Sequence, residues 1–204
     1  MGYFPFYIDI ENKNCVVVGG GVVAFRKIEK LLPFNPVITV VAPKICDEIL
    51  KISEIKICNR NFKDSDIINA FMVISATDDE ELNQHIFELC NEKNILVNTV
   101  DDKKKCGFVF PALAKTKNIT VGISTSGKSP LYARYLREKI ENLIDENSDE
   151  ITDILCRYRS LIKNEIKSEE KRKIAFEQIL EICLHNDINN IDEKQILHIV
   201  EELK

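Results

Sequence analysis

A chain of 204 residues can bury a substantial core, and 45% hydrophobic with 30% charged residues is a globular balance; seven glycines and six prolines exclude a collagen-like or low-complexity chain. A net charge of −5 argues against general nucleic-acid binding. No apolar run reaches the about 18 residues that span a bilayer, and Met1-Gly2-Tyr3-Phe4-Pro5-Phe6 lacks the basic start and apolar centre of a signal peptide, so a cytoplasmic chain with no membrane partner is expected.

Residues 3–10 read as an edge strand joined to Cys15 through Glu11-Asn12-Lys13-Asn14. Cys15-Val16-Val17-Val18 is a buried strand, Val22 to Leu32 a helix closed by Pro33, and Val37-Ile38-Thr39-Val40-Val41 the next strand, which together make a βαβ unit. Ile55-Lys56-Ile57-Cys58 and Phe71-Met72-Val73-Ile74-Ser75 continue the series. Thr77-Asp78-Asp79-Glu80 offers a capping box for a helix to about Asn94, and Ile95-Leu96-Val97-Asn98 is a further strand.

From about Phe108 the pattern changes. Val109-Phe110-Pro111 and Ile119-Thr120-Val121-Gly122-Ile123-Ser124 are predicted strands outside the βαβ series. Ser129 then supplies an N-cap and Pro130 a first-turn proline for a helix through about Leu143. Beyond Asp145 the apolar positions Ile151, Ile154, Leu155, Tyr158, Leu161 and Ile162 recur at helical spacing, and Asp192 with Gln195 predicts the cap of a last helix. The tail is a helical bundle with solvated charged faces.

The seven cysteines are dispersed and odd in number, which suggests small core residues and neither a disulfide framework nor a zinc clip; three histidines without an HxH or HExxH pattern leave no metal site expected. The strongest chemical signal follows the first buried strand. Gly19-Gly20-Gly21-Val22-Val23-Ala24 fits GxGxxG/A through Gly19, Gly21 and Ala24. Such a turn needs a tight bend at the first glycine, close backbone approach to pyrophosphate at the second, and a small third residue where helix meets sheet. The anion then lies at a helix N-terminus, where free N–H groups favour negative charge. The acidic residue expected at the end of the second strand is missing, since Val41 is followed by Ala42-Pro43-Lys44, and Lys44 leaves NADP open beside NAD.

Several further segments occur in one order: Val23-Ala24-Phe25-Arg26-Lys27, Ala76-Thr77-Asp78-Asp79 with Leu82-Asn83, Asn98-Thr99-Val100-Asp101, Phe108-Val109-Phe110-Pro111, Ser124-Thr125-Ser126-Gly127-Lys128-Ser129-Pro130, and Arg134-Tyr135-Leu136-Arg137-Glu138. With the glycine turn, this set resembles the precorrin-2 dehydrogenase and sirohydrochlorin ferrochelatase family, which includes the N-terminal part of siroheme synthases. The match spans about residues 3 to 145. The resemblance implies an α/β fold: a Rossmann-type parallel sheet that binds NAD over residues 1–107, a small α+β dimerisation and substrate unit over 108–145, and the C-terminal helical bundle over 146–204.

The activity so implied is oxidation of precorrin-2 to sirohydrochlorin with NAD as hydride acceptor, in a homodimer, some members also inserting ferrous iron as a substrate. A third activity of the family, uroporphyrinogen methylation, implies a further domain. Asp101 matches the family's catalytic aspartate, and a carboxylate there suits removal of a proton in either step; by itself such a residue reads as a turn or cap. The resemblance places cofactor contacts at Gly19, Gly20, Gly21, Val22, Val23 and Ala24, the adenosine half near Ala42 and Pro43, and further contacts at Thr77 and Asp78, Thr77 serving equally well as a helix cap. The family's substrate carries eight carboxylates. Ser124, Ser126, Lys128, Arg134 and Arg137, with Lys103, Lys104 and Lys105, could bind them, although each base alone reads as solvated charge. The competing reading is a sensor that binds nucleotide or tetrapyrrole without turnover.

Overall fold

Short β-branched runs that bury both faces favour parallel pairing, and five of them do so here. In the computed structural model the described residues are 4–100, 102–144, 146–185 and 191–204, with Lys103 and Glu146 described by backbone alone. Two compact units divide the chain, Gly2–Phe110 and Pro111–Lys204.

The first unit holds β1 (Asn14–Val18), α1 (Val22–Leu31), β2 (Val37–Ala42), α2 (Asp47–Leu50), β3 (Lys56–Asn59), β4 (Met72–Ser75), α3 (Glu80–Glu92) and β5 (Leu96–Thr99). All strand pairs are parallel, in the order β3-β2-β1-β4-β5. This is the Rossmann arrangement, with the strand order reversing between β1 and β4. Alternate residues feed two cores. Val17, Val40 and Ile74 face α1 through Ala24, Ile28 and Leu31, whereas Val16, Val18 and Val73 face α3 through Ile86 and Cys90. Ile28, Ile74 and Ile86 are fully buried, each contributing roughly 2 kcal/mol by removal from water.

Residues 4–10 form no strand, contrary to the expectation from sequence. Pro5 has no N–H to give a ladder, and the backbone of Cys106 and Gly107 lies beside β5, bridging Asn98 and donating from Gly107 N to Val97 O at 2.9 Å. Ile10 instead enters the core below β1, where Asn12, at φ 57°, turns the chain into the sheet. The helix after β4 is capped by Asp79 and not by Thr77: the Asp79 carboxylate accepts from Leu82 N at 3.0 Å.

The second unit opens with the antiparallel pair β6 (Ala112–Lys115) and β7 (Thr120–Ile123). The first of these begins after Pro111 and not at Val109 as the sequence suggests. Phe108 and Phe110 are held otherwise, their rings packed together at 5.5 Å and set against the α1 side of the first unit's core. Helix α4 (Pro130–Glu141) follows, capped by Ser129, whose Oγ accepts from Tyr132 N at 3.2 Å. Helices α5 (Glu146–Glu165), α6 (Glu169–His185) and α7 (Glu193–Glu202) share a core of Tyr158, Ile162, Ile166, Ala175, Ile179, Cys183, Ile196 and Val200. Asp192 caps α7 by accepting from Lys194 N at 2.9 Å. Asp149 ties the start of α5 to the hairpin turn, accepting from Thr116 Oγ1, Lys117 N and Asn118 N at 2.6, 3.0 and 2.8 Å. Among the described residues no helix is long and apolar enough to cross a membrane.

Candidate functional site

The loops after β1, β4 and β5 at the carboxyl edge of the sheet each begin with a hydrogen bond to the adjacent strand. Gly19 N donates to Val41 O at 3.0 Å, Ala76 N to Val18 O at 2.8 Å, and Val100 N to Ser75 O at 2.9 Å. The strand ends are therefore stapled together at the switch point, the edge where open parallel sheets bind ligands.

The three glycines have three different reasons to be glycine. Gly19 has φ +121°, and a methyl group there would run into the Ala76 carbonyl. A methyl on Gly20 would meet the Lys44 carbonyl, and Gly20 O accepts from Cys46 N at 2.8 Å. At Gly21 the same methyl would enter open space. The first two glycines thus let the β1, β2 and β4 loops close on one another, and the third leaves the amino end of α1 uncovered. Gly21 occupies the N-cap position with no side-chain cap, and the first turn of α1 contains no acidic residue. Its free N–H groups and acid-free first turn fit a pyrophosphate. Val22 and Val23 are exposed at this end, while Ala24 is fully buried where a larger side chain would push helix from sheet.

On either side lie the other cofactor candidates. Ala42 is buried at the end of β2, and Pro43 and Lys44 are exposed. Past β4, Thr77 belongs to a polar knot that sequence reasoning did not identify. The hydroxyls of Ser75 and Thr77 donate to Asn83 Oδ1 at 2.6 and 2.8 Å, and Asn83 Nδ2 donates back to Thr77 O at 2.9 Å. Thr77 is thereby half-buried and fixed, whereas Asp78 is exposed. The available signal was Asn83 itself, a polar residue on the helical stripe that continues with Ile86 and Cys90; a buried amide on such a stripe needs partners.

Asp101 lies outside the described residues. The backbone that flanks it is tied down on the far side of the loop. Asn98 Nδ2 donates to Phe108 O at 2.9 Å and reaches Cys106 Sγ at 3.4 Å, and the Cys106 thiol lies 3.2 Å from the carbonyls of Thr99 and Asp102. Burial pushes the Cys106 thiol up, partly offset by the Thr99 backbone and by Lys27. The Asp102 carboxyl is held below its usual range, mainly by the Lys104 N–H, with Lys105 at 3.3 Å assisting. Lys105 is therefore partnered, Lys104 is exposed, and the Lys103 side chain is outside the described set. Asn98 Oδ1 and Thr99 Oγ1 are buried and without a partner at this end of β5.

In the second unit the predicted substrate residues gather around the amino end of α4. Ser126 and Gly127 take left-handed backbone at φ 52° and 74°. Thr125 Oγ1 donates to Ser129 O and accepts from Ser129 N, both at 3.1 Å, which closes the turn. Ser124 Oγ accepts from Ser126 N at 3.2 Å and keeps its own proton for donation; Ser124, Ser126 and Lys128 are exposed. The arginines are less available than the sequence suggests. Arg134 Nε meets Glu138 at 2.9 Å, and Arg137 lies 3.5 Å from both Glu138 and Glu141. These pairs lower the Glu138 carboxyl, Arg134 contributing most. Among the described residues no three His, Cys, Asp or Glu side chains gather as a metal site.

This geometry agrees with what the chain resembles. Residues 6–112 match a family described as "Putative NAD(P)-binding", and residues 117–143 match one described as "Sirohaem biosynthesis protein central". The chain belongs to the "Putative NAD(P)-binding" family. It is 35% identical over 207 residues to a siroheme synthase of Pseudoalteromonas translucida, and 39% identical over 184 residues to one of Thioalkalivibrio sulfidiphilus. The alignments cover 98% and 89% of this chain but only 44% and 38% of those relatives, so the chain spans less than half the length of the curated relatives it matches. Among solved structures, "SirC, precorrin-2 dehydrogenase" shares the fold with a TM-score of 0.81 at 24% identity, covering 98% of this chain and all of that one.

Proposed function

We propose that this chain oxidises precorrin-2 to sirohydrochlorin in siroheme biosynthesis, with NAD as its cofactor. The observation that carries this reading is the glycine turn at the β1–β4 switch point, closed by the Ala76 and Lys44 carbonyls and followed by an uncapped helix with no acidic residue in its first turn, in a chain whose relatives are siroheme synthases. When bound, NAD supplies the hydride acceptor. Val22 and Val23 N–H groups hold the pyrophosphate, Ala42 and Pro43 border the adenosine half, and Thr77 and Asp78 line the other side of the switch point. Asp101 accepts the proton that leaves with the hydride, a role that a carboxylate can fill.

For the polycarboxylate substrate, Ser124, Ser126 and Lys128 donate from exposed positions. Arg134, which is exposed, and half-buried Arg137 exchange Glu138 and Glu141 for substrate carboxylates, a swap between like partners. The protein acts in the cytoplasm as a homodimer, for which the exposed Leu131, Tyr132 and Tyr135 of α4 provide an apolar face. Ferrous iron is a further substrate in this reading, held chiefly by the tetrapyrrole nitrogens.

The test is anaerobic incubation of the pure protein with precorrin-2 and NAD+, followed by absorbance and then by addition of ferrous iron. Sirohydrochlorin should appear only with NAD+ present. Dinucleotide binding without any conversion would replace the enzyme by a sensor, and sirohydrochlorin left unchanged by iron would remove the chelatase step.

A further inference from the structure

In a doubly wound sheet the adenine ribose lies at the end of the second strand, where a carboxylate bonded to its 2′-hydroxyl would repel a 2′-phosphate. Here β2 closes on buried Ala42, and the chain continues through exposed Pro43 and Lys44. The Lys44 backbone is not carried away on a free loop. Its carbonyl lies where a methyl on Gly20 would fall, and two residues later Cys46 N donates to Gly20 O at 2.8 Å. The backbone that carries Lys44 is thus anchored beside the phosphate-binding turn, at the corner where the ribose is expected, and its side chain is exposed there.

The neighbouring charges leave that cation available. Lys44 makes no ion pair among the described residues. Arg60, just past β3, is already taken by Asp66 in a two-pronged pair of 2.8 and 2.6 Å. The nearest acids in sequence, Asp47 and Glu48, open α2; the Glu48 carboxyl is drawn to its own backbone N–H and to Cys46, which hold it below its usual range. Asp47 is exposed at the first position of that helix.

We infer that Lys44 sets the dinucleotide preference of this site, pairing with a 2′-phosphate so that NADP is accepted alongside NAD. This rests on the dinucleotide reading of the glycine turn and extends it to the ribose. A phosphate dianion beside an ammonium is a charge-assisted contact, screened by salt more strongly than the contacts NAD makes.

Calorimetric titration of the full chain with NAD+ and with NADP+, at low and high salt, tests the inference in wild type, Lys44→Ala and Lys44→Glu proteins. NADP+ should bind wild type within about tenfold of NAD+, and Lys44→Glu should weaken NADP+ by about tenfold or more, a difference of about 1.4 kcal/mol, while leaving NAD+ nearly unchanged. Lys44→Ala should fall between, and added salt should weaken NADP+ more than NAD+. NAD+ binding with NADP+ more than about tenfold weaker in wild type, or equal losses for both dinucleotides in Lys44→Glu, would overturn the role of Lys44 alone. Binding of neither would overturn the dinucleotide reading with it.

Discussion

The two units of the chain build their candidate sites from different materials. In the sheet unit the site is mostly backbone: glycines pressed against the Ala76 and Lys44 carbonyls, uncapped N–H groups, and buried amides at Asn83 and Asn98 that fasten the strand ends. In the hairpin-and-helix unit it is side chain, exposed Arg134 and half-buried Arg137 resting on Glu138 and Glu141. A backbone site is set when the unit folds, and where its glycines press on neighbouring carbonyls a change to it is also a change to the fold. A side-chain site can exchange partners, which suits a ligand covered in carboxylates.

The sharpest way to break this contrast is at the glycines. Gly19→Ala must place a side chain at φ +121° and against the Ala76 carbonyl, so it should cost about 3 kcal/mol in urea unfolding and abolish dinucleotide binding. Gly21→Ala, directed into open space, should keep stability within about 0.5 kcal/mol yet still weaken dinucleotide binding. Equal stability losses would mean that the turn is not held by its neighbours.

A second contrast is titratable. Burial pushes the Cys15 and Cys90 thiols of the sheet unit up to about 11 from 9.0. Between those values the unfolded chain sheds protons that the folded chain keeps, so stability should be full below pH 9 and decline as pH rises towards 11. Each unit of pKa difference is worth about 1.4 kcal/mol, so the fall should reach a few kcal/mol. Denaturant midpoints should show a shallower alkaline decline for Cys90→Ala; an unchanged slope would remove these thiols as its source.

The smallest effect is expected in the other unit. Asp149→Ala removes the acceptor for Thr116 Oγ1, Lys117 N and Asn118 N and should lower the melting midpoint by a few degrees. Its carboxyl is held below the usual range, first by Thr116, so the contribution is present at neutral pH and lost as acid protonates it. NAD+ affinity should not change, and a loss there would show that the two units do not stand on separate supports.

Legibility in the sequence followed the same division. The sheet unit announced itself because a βαβ alternation and a glycine turn are local patterns, and the strands Cys15–Val18, Val37–Val41 and Phe71–Ser75 fall within a residue of those formed. Residues 4–10 form no strand, while Cys106 and Gly107 lie beside β5, and no local pattern reports which segment takes an edge. Phe108 and Phe110 were taken into the first unit's core, so β6 starts one residue after Pro111. Asn83 was visible as part of a motif, but its work of fixing Ser75 and Thr77 appears only when strand and helix meet. The arginine pairs of α4 are legible as i,i+4 spacings, Arg134 with Glu138 and Arg137 with Glu141, which a motif of bases alone does not contain.

The central claim is that this chain couples precorrin-2 oxidation to NAD through Asp101. The most direct measurement follows NADH and sirohydrochlorin together under anaerobic conditions in wild type and Asp101→Asn protein. The account predicts equimolar products in wild type and, in the variant, a rate lowered by about a hundredfold or more with NAD+ affinity unchanged. Sirohydrochlorin without NADH, or a variant as fast as wild type, would contradict it.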